Sequence, residues 1–226
     1  MDWDNPIAIN PPLAGEWKFL RPPGHHPYAF DFVQTDASRK RYHKGRSTSW
    51  YFSGIASDKY CCWEKPIYAP VAGEIVRVGD DWLDHEYTSF WRTIRIWYEA
   101  TYRFRPQVVE GRLDIRPNAG NHVMIKTDEG FIVFLAHVRN HSLTVMEGQR
   151  IKTGQLIGKV GNSGNSTAPH LHINLFDQIT DPYRSKVLPF VFSQYERLCT
   201  NSVWKNCRLS VPEKGAYVRF GQVQLN

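Results

Sequence analysis

Short apolar runs separated by Gly, Pro and polar clusters dominate the chain, and long stretches of three-to-four-residue periodicity are scarce. Tyr28 to Val33 is apolar and aromatic save for Asp31, as in a strand buried on both faces. Ile67 to Gly79 reads as a small strand-and-turn unit. His122 to Thr127 and Phe131 to Val138 flank Asp128-Glu129-Gly130, where Gly easily takes a positive φ, and this predicts a hairpin. Val145 to Gly161 repeats short apolar pieces between glycines, a partial echo of residues 66–79 that points to duplication. His170 to Phe176 alternates as a strand. The prolines before Gly24 (6, 11, 12, 22 and 23) disfavour regular structure and predict a wrapping arm over 1–24. Residues 80–118 are dense in Trp, Tyr and Arg; their Ser89 to Tyr102 part suits either a helix or a hairpin.

With 226 residues the chain is long enough for one elaborated domain, expected over 25–192 with residues 193–226 packed upon it. A hydrophobic fraction of 42%, with 8 Trp, 11 Tyr and 12 Phe, excludes a disordered tail protein and favours strands. There is neither an apolar run of membrane-spanning length nor a secretory leader at Met1-Asp2-Trp3-Asp4, so neither a membrane span nor a signal peptide is expected and the compartment stays open. The charge of +6 favours acidic surroundings, including an anionic cell wall. Nucleic acid is not expected, because the best basic cluster, Arg39 to Arg46, is short and flanked by Gly and Ser. Cys61, Cys62, Cys199 and Cys207 form no CxxC pair, which argues against a thiolate metal site; Cys199 and Cys207 can close a disulfide or stay free.

The chemistry concentrates in histidines. In Pro169-His170-Leu171-His172 the two imidazoles share one face of an extended chain, with Leu171 on the other. One can bind metal while its neighbour moves protons. Asp31 is costly inside an apolar strand unless a cation or hydrogen bonds compensate, and His25 and His26 lie just upstream. His137 sits in Leu135-Ala136-His137-Val138, near a strand end. His43, His85, His122 and His141 fall outside this set and are expected in surface or structural roles.

In order and context these segments resemble the lysostaphin-type, or LytM-like, zinc endopeptidases: His25-His26 before Tyr28-Ala29-Phe30-Asp31-Phe32, then Leu135-Ala136-His137-Val138, then the Gly-rich stretch from Gly161 to His172. The resemblance covers about Gly24 to Phe176 and is weakest over 80–118, which looks like an insertion. It implies an all-β fold, an antiparallel sandwich or curved sheet of the duplicated hybrid type. It also implies Zn2+ held by His26 or His25 with Asp31 and His172, a fourth position being left for water. A zinc-bound water would then attack the amide carbonyl, His170 acting as general base and His137 stabilising the oxyanion. The implied substrate is peptidoglycan, in its cross-bridges or stem peptides, which in turn implies a periplasmic or extracellular setting. Oligomeric state is not indicated.

Two departures qualify the match. The family places its first His four residues before the Asp, whereas His26 is five and His25 six before Asp31. Strand parity favours His25, and the shorter loop tips the choice to His26. Leu135 stands where the family often has Tyr. The alternatives are a LytM-like wall-binding or regulatory module without turnover, and a zinc hydrolase acting on a non-wall peptide.

Overall fold

Period-two alternation governs the architecture. The computed structural model describes residues 6–22, 25–103, 107–109, 112–178, 184–200 and 202–221. Eight strands form the body of a large mixed sheet: β1 (Gly15–Leu20), β2 (Phe30–Val33), β3 (Gly73–Gly79), β4 (Asn121–Lys126), β5 (Ile132–Val138), β6 (Leu171–Phe176), β7 (Phe190–Leu198) and β8 (Tyr217–Phe220). Their spatial order is β7-β8-β1-β2-β6-β5-β4-β3, with Arg150–Ile151 beyond β3. Ile7–Ile9 runs parallel to the start of β7, so the sheet is mixed at that edge instead of purely antiparallel.

The segment before Gly24 is more regular than its prolines suggest. In β1, Trp17 and Phe19 are buried while Glu16 and Lys18 are partly exposed, the alternation of a sheet with one face on the core. Pro11 and Pro12 fall between strands, where a missing donor costs nothing in the ladder. Phe19, Phe30 and Phe32 pack with Phe190, Phe192 and Phe220 at ring separations of 4.9–5.8 Å. Burying each ring contributes about 2 kcal/mol by transfer, which fixes the register of β2.

The expected hairpin is β4 and β5, closed at Gly130 with φ +95°. The open choice over Ser89 to Tyr102 resolves as a helix, α1 (Phe90–Tyr98), continued by a wider turn over Glu99–Arg103. Ser89 caps it by accepting a hydrogen bond from the Arg92 amide. Ile96 alone on α1 is buried, while Trp91 and Trp97 are 70% and 60% exposed. The Ser89 cap, the Arg95–Glu99 pair one turn apart and the packing of Phe90 on Trp50 and Tyr51, more than core burial, therefore hold α1. All four cysteines are free thiols. Among the described residues no helix is long and apolar enough to cross a membrane.

Candidate metal centre and its histidines

Asp31 and His172 lie directly opposite each other on neighbouring strands β2 and β6. Phe30 and Phe32 turn to the aromatic core, so alternation drives Asp31 to the other face, where it is 4% exposed. His172 shares that face for the same reason, Leu171 and Ile173 being fully buried on the core side. The Nδ1 atom of His172 is 2.8 Å from Asp31 Oδ1, His170 Nε2 is 3.5 Å from Asp31 Oδ2, and His25 Nδ1 is 3.7 Å from Asp31 Oδ1. Burial pushes the Asp31 carboxyl up, but the three surrounding imidazoles outweigh it and hold the group well below the usual carboxylate range.

The hydrogen bonds around each ring fix its protons. His170 Nδ1 faces the Ala168 carbonyl at 2.8 Å, with the Ser166 hydroxyl at 3.2 Å, so Nδ1 carries a hydrogen and Nε2 is the nitrogen turned toward Asp31. His137 Nδ1 likewise donates to the Ser163 carbonyl at 2.8 Å. Burial and the neighbouring His170 and His172 push the His137 imidazole well below its ordinary value, so it is neutral, with Nε2 bare.

Strict alternation along β5 would send His137 away from His172, because Ala136 is the residue paired with His172. Instead His137 has φ +62°, which turns its ring to within 4.5 Å of the His170 ring centroid and 6.0 Å of that of His172. A non-glycine residue held there costs on the order of 1–2 kcal/mol, a strain characteristic of functional positions.

The contacts of His172 bear on whether a cation fits. Its Nε2 faces Asn174 Oδ1 at 3.0 Å while its Nδ1 faces Asp31 Oδ1 at 2.8 Å. A neutral imidazole has one N–H and cannot satisfy two oxygen acceptors. A second proton, a cation shared by Nδ1 and Asp31, or an Asn174 amide turned so that its otherwise unpartnered Nδ2 donates to Nε2 satisfies both contacts. His25, Asp31 and His172 each bring one ligand atom to within 4.8 Å of the others, two imidazoles and a carboxylate, the donor set that suits zinc.

Of the sequence-predicted residues, Asp31, His137, His170, His172 and His25 converge. His26 does not: it is exposed, and its Nδ1 accepts from the Tyr28 amide at 3.2 Å. The bend at Pro27 and Tyr28 ties His26 to its own turn and leaves the longer loop to deliver His25. His122 is buried and structural, and His141 is exposed beside Asp81. Sequence reasoning missed Asn174, Ser163 and Ser166. Asn174 had a signal, since it lies two residues beyond His172 on the same strand face; the serines act through loop geometry that no periodicity encodes.

The comparisons with known proteins bear on this arrangement. Residues 107–182 match the model of Peptidase family M23. That span contains His137, His170 and His172, whereas Asp31 and His25 lie before it. Among curated proteins the chain is similar to the peptidoglycan DD-endopeptidase ShyA of Vibrio cholerae, 39% identical over 59 residues, or 26% of this chain and 13% of that protein. It is also similar to outer membrane antigenic lipoprotein B of Histophilus somni, 38% identical over 63 residues, or 27% of this chain and 18% of that protein. The chain thus spans less than a fifth of the length of either relative. Among solved structures it is similar to the catalytic domain of the antimicrobial peptidase lysostaphin from Staphylococcus simulans, at 19% identity and TM-score 0.39, covering 80% of this chain and 85% of that one.

Proposed function

We propose that this chain, matched over residues 107–182 by Peptidase family M23, is a zinc-dependent endopeptidase that hydrolyses peptide bonds in peptidoglycan cross-bridges or stem peptides. The observation that carries the reading is the cross-strand pair of Asp31 and His172, completed by His25, beside two imidazoles that are each anchored through Nδ1 on a backbone carbonyl. His25, in preference to His26, is the third metal ligand.

Zinc held by His25, Asp31 and His172 supplies Lewis acidity, polarising the scissile carbonyl and making water a stronger acid. The remaining chemistry belongs to the chain. His170, its Nδ1–H anchored on the Ala168 carbonyl, takes the proton of the attacking water at Nε2 and returns it to the leaving amine. His137 is oriented by the Ser163 carbonyl; a proton taken from solvent as negative charge develops beside it lets its Nε2 donate to the oxyanion of the tetrahedral intermediate, and that proton returns to solvent when the intermediate collapses. Asn174 fixes the tautomer of His172. A wall substrate places the working site in the periplasm or outside the cell.

The test is to load the chain with zinc, measure the bound metal, and follow release of amines from purified peptidoglycan and from short glycine-rich or stem-like peptides. His170→Ala retains zinc and loses cleavage; loss of both would contradict the division of labour. Zinc binding with no cleavage of any substrate would leave a binding module instead.

A further inference from the structure

Beside the loop that carries Ser163 and Ser166 lies a cleft of about 860 Å³, lined also by α1 and the turn that follows it. The near wall is Gly164 and Asn165 of that loop. One strip of backbone therefore touches both the histidines proposed for hydrolysis and the cleft: the Ser163 carbonyl accepts from His137, Ser166 contacts His170, and the carbonyl between them, Gly164, accepts from His85 Nε2 at 2.7 Å.

The charges in the cleft are unbalanced. Its two acids are already engaged, Asp114 by Arg116 and Glu99 by Arg95, each at 2.9 Å. Arg92 and Arg103 also line it, and among the described residues no carboxylate lies within ion-pairing distance of either. The Arg92 guanidinium instead contacts His85 Nδ1. Because Arg can only donate, that nitrogen is the acceptor, and His85 keeps its hydrogen on Nε2 for Gly164. Trp82 and Trp91 add broad apolar faces to the same walls. Planar cations next to aromatic surface suit a carboxylate attached to an apolar stem.

We propose that this cleft is a subsite that binds a free carboxylate of the peptide substrate through Arg92 and Arg103, with Trp82 and Trp91 covering the carbon chain that bears it. The proposal rests on the peptidase reading, for it names the part of the peptide the same site selects. It gives the inserted segment 80–118 a role in recognition.

The experiment compares two probes, a cross-linked stem-like peptide with free carboxylates and the same peptide fully amidated. With the zinc-loaded chain, kcat/KM favours the carboxylate form by roughly ten- to hundredfold, the scale of losing a charge-assisted hydrogen bond. Arg103→Gln and Arg92→Gln each bring that ratio toward one. A merely structural effect of Arg92, passed through His85 to the loop, would slow both peptides alike and leave the ratio intact. Calorimetric binding of both peptides to His170→Ala, alone and combined with Arg103→Gln, reads the subsite without turnover. Should the zinc-loaded chain cleave neither peptide, the peptidase reading falls while the calorimetric ratio still decides the subsite. Equal binding of the two peptides, no binding of either, or a preference unchanged in both arginine variants would overturn the proposal.

Discussion

His122 gives the sharpest quantitative expectation, because it is buried, titratable and outside the candidate metal centre. It is 1% exposed on β4, its Nδ1 donates to the Gly120 carbonyl at 2.8 Å, its Nε2 has no partner among the described residues, and its ring packs against Phe134. Gly79 on β3 leaves the space for it: a Cβ there would come within 2.2 Å of the ring. Burial, reinforced by Arg77 and Arg116 and only partly offset by the Gly120 carbonyl and Asp114, pushes the imidazole down from 6.5 to about 4. The unfolded chain therefore binds the proton first as pH falls. Stability is complete above about pH 6.5, declines between 6.5 and 4, and is level below that as far as this group is concerned. At about 1.4 kcal/mol per unit, the His122 contribution lost between pH 7.5 and 4.5 is about 2–3 kcal/mol. The measurement is urea unfolding of the metal-free chain at both pH values, for the wild type and His122→Phe. His25 and His137 titrate in both proteins and cancel in the difference. The variant, which forfeits the bond to Gly120, is less stable at pH 7.5, yet loses about 2–3 kcal/mol less than the wild type on acidification. An identical loss in the two proteins would refute the assignment of a buried neutral imidazole.

Other expectations follow from the same contacts. His25→Ala weakens zinc binding by more than about a hundredfold in a chelator competition, while His26→Ala leaves it within about twofold; the reverse order would restore His26 as ligand. Gly120→Ala destabilises the fold by about 2–4 kcal/mol in thermal or urea unfolding, because Gly120 has φ +60° and a Cβ would meet Ser163 atoms, backbone included, at 2.3–2.5 Å. Cys62 resists alkylation in the native state at pH 8, since its buried thiol is pushed up to about 12 and contacts the Pro169 carbonyl, whereas Cys61, partly exposed, reacts first of the adjacent pair. Early labelling of Cys62 would mean that the loop before His170 opens readily.

The chain's own alternation determined much of this molecule. Phe30-Asp31-Phe32 and Leu171-His172-Ile173 each demand that one polar side chain leave a core face, and that requirement alone puts a carboxylate and an imidazole on the face of two strands opposite the core. The β4–β5 hairpin and the strand after Pro169 were legible for the same reason, since period and turn chemistry are local. What only the tertiary structure decided was pairing and exceptions to pairing. The adjacency of β2 and β6, residues 31 and 172 in register, joins segments 141 positions apart. Parity and loop length gave opposite answers for His25 and His26, and the turn at Pro27 and Tyr28 settled which ring reaches Asp31. The β1 strand lay hidden behind flanking prolines, although Trp17 and Phe19 carried its period. His137 enters the cluster against its strand's alternation, through a positive φ stabilised by contacts with Ser163 and Gly161 that no sequence window contains. Local pattern assigns a side chain to a face; long-range packing decides which faces meet.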